Sequence, residues 1–203
     1  NETVDWDDQP MGPGEQTRYR ALAARLNFLA VDRPDLLYAA KECSRRMSCP
    51  RNRDWEALKR VCRYLIACPR MVHSYRWQDE PNTITVYSDS DWAGCRETRK
   101  STSGACFFHG DHLIKAYSKT QANIALSSAE AEYYSMVKAA SEGLGLKAMT
   151  MDYNKPLSPW MFVDATAAIG VAQRVGLGKL RHLETQSLWL QEAVRDKRVG
   201  LSK

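Results

Sequence analysis

From residue 17 to about 70 apolar side chains recur at three- and four-residue intervals; beyond them the interval becomes two. TRYRALAARLNFLAV keeps Leu22, Leu26 and Leu29 at helical spacing, and DRPD at 32–35 interrupts the pattern. A second helix is predicted from near Pro34, with Leu36, Ala40, Cys43 and Met47 on one face. After SCPRN, Trp55, Leu58, Cys62 and Leu65 resume helical spacing and stop before Pro69. Three amphipathic helices with short connections predict a small helical unit over residues 17–70. Residues 1–16, NETVDWDDQPMGPGEQ, carry no hydrophobic period and read as a disordered lead-in cut from a longer polypeptide.

From residue 71 the alternating stretches MVHSYRW and TITVYSD predict strands. GACFFHGDHLIKAYS predicts two more, joined by the turn chemistry of HGDH. In SSAE, Ser127 and Glu130 have capping-box spacing, and Ala131, Tyr134, Val137 and Ala140 continue a helix. PWMFVD is a short apolar strand, ATAAIGVAQRV a further helix, and a last helix is predicted from about His182 to Arg195. Strand, hairpin, helix, strand, helix, helix implies a mixed sheet flanked by helices over residues 71–203, an α/β domain behind a small helical segment.

Charge adds one feature to this picture. Between Lys41 and Arg76 ten Lys/Arg stand against three Asp/Glu, more positive than the chain's net +5. Such a run is either a solvated helix face or a surface for polyanions, which clustered cations bind by counterion release. Cys43, Cys49, Cys62 and Cys68 form two C-x5-C pairs, a spacing unlike that of zinc knuckles. Cys43 and Cys62 fall on the predicted apolar faces, where a reduced cysteine packs as a small hydrophobe. No secretory signal precedes them, which favours a reducing compartment. No apolar run reaches the eighteen residues of a membrane-spanning helix.

The candidate chemistry is acidic. Asp89 closes the TITVYSD strand on the face of Thr85 and Tyr87, and Asp164 closes PWMFVD. If those strands lie parallel and adjacent, both carboxylates leave the same sheet edge, where α/β folds place their ligands. Glu130 and Glu132 fall in the first turn or two of the helix after the hairpin, and Glu184 begins the last one. Taken singly, such acids are turn formers or dipole partners. Taken together they would repel one another unless hard divalent cations sat among them, and Mg²⁺ accepts such oxygen ligands. Two ions about 3.5–4 Å apart can activate water and stabilise the leaving oxygen in phosphodiester cleavage. The neighbouring Asp91, beside Trp92 and Gly94, reads as a turn former beyond the strand.

YSDSDWAG, RKSTSGACFF, ALSSAEAEYYSM, FVDATAA and RHLETQSLWLQE together resemble the ribonuclease H domain of copia-type retrotransposon polyproteins. YRALAARLNFLAVDRPDLLYAA and DWEALKRVCRYL resemble the helical thumb or connection segment that joins their reverse transcriptase to it. The resemblance covers roughly residues 17–198. It implies a ribonuclease H-like fold, a mixed five-stranded sheet with helices on both sides. The implied activity is Mg²⁺-dependent cleavage of the RNA strand of an RNA/DNA hybrid, with two ions and Mn²⁺ as a substitute. The implied partners are the hybrid and an attached or associated reverse transcriptase, with no membrane, and the implied setting is intracellular, in a cytoplasmic particle or the nucleus. Carried over motif by motif, the metal-binding and catalytic acids are Asp89, Glu132 and Asp164. The fourth is Glu184, where the family usually carries His-Ile-Asp and this chain has His182, Leu183 and Glu184. Candidate substrate contacts are Arg96, Arg99, Lys100, Ser101, Lys119 and His182. An integrase would place its Glu after both aspartates. A strand-embedded acidic pair, as in exonucleases, would run Asp89 and Asp91 on through Trp92-Ala93-Gly94. A remnant that binds hybrid or scaffolds a polymerase without cutting is the remaining alternative.

Overall fold

The computed structural model describes residues 8–176, 178 and 187–203. The chain divides into two compact units, one up to His73 and one from Ser74.

The first unit is helical: α1 (Pro13–Leu29), α2 (Leu37–Ser44) behind a single 3-10 turn at Pro34–Leu36, and α3 (Asn52–Ala67). Its core gathers Tyr19, Ala23, Leu26, Ala30, Leu36, Ala40, Cys43 and Leu58. The predicted face of α1 is thus rotated: Leu29 is 37% exposed, whereas Tyr19 is fully buried and donates its hydroxyl to the Cys43 carbonyl at 2.8 Å. On α3 the inward stripe is the buried Leu58 with the half-buried Trp55, Val61 and Leu65, and Cys62 is exposed, against expectation. Of the expected 1–16 lead-in, residues 1–7 lie outside the described residues, whereas residues 8–16 are built into the helical unit. α1 starts at Pro13, whose fixed φ suits a first helical turn. Pro10 pairs with Arg51, and Met11 is buried while its N–H donates to the Pro50 carbonyl at 3.1 Å.

The second unit is a five-stranded sheet in the order β3-β2-β1-β4-β5. Its strands are β1 (Thr83–Asp91), β2 (Thr102–His109), β3 (His112–Thr120), β4 (Ser158–Phe162) and β5 (Gly200–Ser202). β1, β2 and β3 are antiparallel neighbours, and β4 and β5 run parallel to β1. The helices are α4 (Ser128–Asp152), α5 (Thr166–Gln173) and α6 (Trp189–Arg195). Ile84, Val86, Phe107 and Met161 meet Tyr133, Met136, Ala139 and Ala140 of α4 in the core. Gly143 sets how closely α4 approaches: a Cβ there would lie 2.9 Å from the Pro159 Cβ. This is the mixed five-stranded sheet with flanking helices that the sequence resemblance implies. None of the described helices is long and apolar enough to cross a membrane.

One strand is placed differently from expectation. MVHSYRW forms none, because its alternation has no face to bury: Val72 is 85% and Trp77 97% exposed. The following residues clasp the hairpin tip through side chains instead. Gln78 Nε2 donates to the His109 carbonyl at 2.8 Å, and Gln78 Oε1 accepts from the Asp111 N–H at 2.9 Å. The fifth strand is β5, three residues long and too short for a periodic signal. Its Gly200 makes room for Trp160, since a Cβ there would come within 2.3 Å of that ring.

Candidate active site

The sheet register brings the first two acids together. β1 and β4 are paired through Tyr87 and Phe162, and Asp89 and Asp164 each follow two residues later. Val163 donates to the Ser202 carbonyl at 3.1 Å, which carries the β4–β5 pairing up to Asp164, just before α5. The third acid comes from α4. The Ser127 hydroxyl accepts from the Glu130 N–H at 3.2 Å, and a Glu130 carboxylate oxygen accepts from the Leu126 N–H at 2.8 Å. Glu130 is thereby spent on the helix entry, fully inside the protein. Glu132, two positions on, faces the end of β1.

Asp89, Glu132 and Asp164 each offer a carboxylate oxygen within 4.8 Å of the other two. Both aspartates are exposed, whereas Glu132 is 8% exposed. Glu132 Oε1 accepts from the Ser90 N–H at 3.2 Å and from the Ser90 hydroxyl at 2.9 Å. Its Oε2 is buried with no hydrogen-bond partner. Burial pushes the Glu132 carboxyl above the usual range; the Ser90 bonds oppose this, and Asp89 and Asp164 add to it. Among the described residues no Lys or Arg forms an ion pair with any of the three. Three carboxylates so close, with one orphaned oxygen, are electrostatically incomplete. A hard divalent cation fits this donor set: it would take the Oε2 lone pairs and offset the mutual repulsion.

α4 is fixed to β1 at this end by serines. The Ser135 hydroxyl donates to the Asp89 carbonyl at 2.7 Å and lies 2.9 Å from the Ser88 hydroxyl. Nothing in the sequence pattern singled out Ser88, Ser90 or Ser135. The available signal was that strand alternation turns residues 88 and 90 to the same face as the buried Ile84 and Val86.

Asp91 is the last residue of β1, paired with Thr102, rather than lying beyond the strand. Its carboxylate accepts from the Thr102 N–H and fills the space beside Gly94, where no Cβ would fit. The β1–β2 loop is tight. Arg99 N donates to the Cys95 carbonyl at 2.7 Å, Cys95 N to the Lys100 carbonyl at 3.2 Å, and Ala93 and Arg99 adopt φ of 53° and 56°. Arg96 and Arg99 are exposed on this loop and Lys100 is half-buried. Ser101, expected as a substrate contact, is fully buried, and its hydroxyl accepts from the Ala93 N–H at 3.0 Å, holding the loop. Lys119 is exposed at the same sheet end, paired with Ser103, itself the partner of Ser90. Two strand spacings put Lys119 roughly 10 Å from Ser90 along that row. Glu184 and His182 lie outside the described residues.

No family model matches the chain. It is 33% identical over 186 residues, 89% of its length, to the retrovirus-related Pol polyprotein from transposon RE2 of Arabidopsis thaliana. It is 38% identical over 130 residues, 63% of its length, to the corresponding polyprotein from transposon RE1 of the same plant. The chain spans only 13% and 9% of those two relatives. Among solved structures it is similar to the LC11-RNase H1 isolated from compost, with a TM-score of 0.40 and 15% identity over 60% of this chain and 83% of that one.

Proposed function

Because the chain belongs to the family of copia-type retrotransposon Pol polyproteins, we propose that its second unit is a ribonuclease H that cuts the RNA strand of RNA/DNA hybrids. The observation that carries this reading is the acidic triad with its unpartnered buried oxygen at the shared end of β1 and β4. Asp89, Glu132 and Asp164 would hold divalent ions, Mg²⁺ by the chemistry of the ligands, with Mn²⁺ as a substitute and Glu184 as the fourth ligand. When bound, such ions lower the pKa of a coordinated water and stabilise the oxygen that leaves phosphorus. The chain's own contribution is to set the carboxylates in place. β1 and β4 hold Asp89 and Asp164 in register, and Ser90 orients Glu132. The buried side of the triad limits water around Glu132 while the two exposed aspartates leave the site open to a long duplex.

Arg96, Arg99, Lys100 and Lys119 sit at that same sheet end and would take backbone phosphates, and His182, two positions before Glu184 in the sequence, would be a further substrate contact. Discrimination of RNA from DNA would rest on the 2′-hydroxyls. The first unit would serve as the thumb or connection segment of an attached reverse transcriptase. The setting would be intracellular, in the particle or nucleus where reverse transcription takes place.

The test is cleavage of a labelled RNA/DNA hybrid by the chain with Mg²⁺, beside the Asp89→Asn variant. Mg²⁺-dependent cutting that is lost in the variant is expected. Hybrid binding without cutting in the wild-type chain would replace this reading with that of a non-cleaving scaffold.

A further inference from the structure

We infer that Ser90 is a positioning residue for metal binding: its hydroxyl sets the Glu132 carboxylate so that one oxygen remains for the ion. The inference rests on the reading of the triad as a divalent-cation site. Glu132 has two oxygens with opposite accounts. Oε1 receives two hydrogen bonds from one residue, the Ser90 N–H at 3.2 Å and its hydroxyl at 2.9 Å, and Oε2 receives none although it is buried. A glutamate has three side-chain torsions, and its carboxylate rotates about the last of them with little resistance. Two donors converging on one oxygen remove that freedom, so the second oxygen is presented in one direction.

Ser90 is suited to this for reasons visible in the strand. It is the residue between Asp89 and Asp91, and alternation turns it to the opposite face from both, toward α4. The same end of α4 is held on β1 from its next turn, where the Ser135 hydroxyl donates to the Asp89 carbonyl at 2.7 Å. Main-chain and side-chain hydrogen bonds therefore fix Asp89 and Glu132 against each other before any ion arrives. Apart from the Ser88–Ser135 hydroxyl pair, which does not reach the Glu132 carboxylate, the rest of the α4–β1 contact is apolar and could not supply that direction. Partners that orient a metal ligand typically account for about 10–100-fold in metal affinity. The lower end is expected here, since the Ser90 N–H remains when the hydroxyl is removed.

The experiment is titration of Mn²⁺ into the full chain, followed both by calorimetry and by the shift in melting temperature, for wild type, Ser90→Ala, Ser90→Thr and Asp89→Asn. Ser90→Ala is expected to weaken Mn²⁺ binding roughly tenfold while its metal-free melting temperature stays near wild type. Ser90→Thr, which keeps the hydroxyl, should restore binding to within about twofold by the same reasoning. In hybrid cleavage, the half-saturating Mg²⁺ concentration of Ser90→Ala should rise with little change in the rate at saturation. Equal Mn²⁺ affinity in wild type and Ser90→Ala, with Asp89→Asn weakened, would overturn the role of Ser90 alone. If wild type itself binds no Mn²⁺, the triad is not a metal site and both readings fall. A Ser90→Thr variant as weak as Ser90→Ala would also overturn it, because the hydroxyl would then not be the operative group.

Discussion

The acids of the two units are arranged on opposite principles. Among the described residues of the helical unit acids meet cations: Asp35 accepts two hydrogen bonds from Arg33, at 3.0 and 2.8 Å, and the buried Asp54 lies 3.8 Å from Arg46. Glu42 contacts both Lys41 and Arg45, and Asp8 meets Arg51 and Arg53. Among the described residues of the sheet unit, Asp89, Glu132 and Asp164 meet one another and serine but no cation. The contrast shows where charge serves the fold and where it is held at the fold's expense. It also revises the reading of the basic run between Lys41 and Arg76. Much of that charge is matched locally, and what remains outward on α3 includes the exposed Arg60 and Arg63.

The sharpest way to break this comparison is to neutralise one acid of the triad. Asp89→Asn or Glu132→Gln should reduce hybrid cleavage about a thousandfold, the equivalent of about 4 kcal/mol of lost transition-state stabilisation. Glu130→Gln should leave the catalytic rate within about twofold, because that side chain caps the helix entry. The reverse ranking in a cleavage assay would exchange the two glutamates. Stability should move in the opposite sense to activity. In metal-free buffer Glu132→Gln is expected to raise the melting temperature by a few degrees, since it removes a desolvated charge whose pKa is raised by burial and by its neighbours.

Neutralising a matched acid should do the reverse. Asp54 is 8% exposed, and its carboxylate accepts from the Arg51 N–H at 2.8 Å at the start of α3. Asp54→Ala should cost about 2 kcal/mol in denaturant unfolding of the helical unit. A stabilised variant would erase the distinction between the units.

Two smaller effects sharpen it. Replacing Arg96 by Ala should weaken hybrid binding at low salt by a few-fold and reduce the salt slope by about one. An unchanged slope would leave Arg96 as ordinary solvated surface. Within the sheet unit, Glu142 is the counterexample to the triad. Hydrogen bonds from Lys115 and then Lys138 hold its carboxyl down at about 2. A depressed folded-state pKa means this contribution is fully present above the ordinary value of 4.5 and is lost as pH falls toward about 2. Unfolding of Glu142→Gln should therefore lose pH dependence relative to wild type within that window, by a modest amount because the group is partly solvated.

Much of the fold was legible because burial leaves a period in the sequence. The strands around Val86 and Phe107 and the helix begun by Ser127 were marked by alternation or by a capping pattern. What misled was alternation without burial, as in MVHSYRW, and what escaped was a strand too short to show a period, as in GLS. In the helical unit the apolar spacing gave the helices but not which side faced inward. Tyr19 displaced Leu29, and Val61 took the place expected for Cys62, because a helix settles on the face that packs best against its neighbours.

For the candidate site the division is equally physical. Asp89 and Asp164 were marked as strand-end acids, and Glu132 through its family motif, since residue type and order are properties of the chain. The convergence of all three within 4.8 Å depends on the parallel register of β1 and β4 and on how α4 lies across them. That is set by long-range packing, such as Gly143 against Pro159. The burial of Ser101, the turn-holding bond of Asp91 at the strand's end and the two bonds from Ser90 to one oxygen of Glu132 were likewise decided by tertiary structure. Sequence alone determined which chemical groups were present and on what kind of element. Only the folded chain decided which of them are near enough, and dry enough, to act on one another, because electrostatic coupling depends on distance and on the exclusion of water.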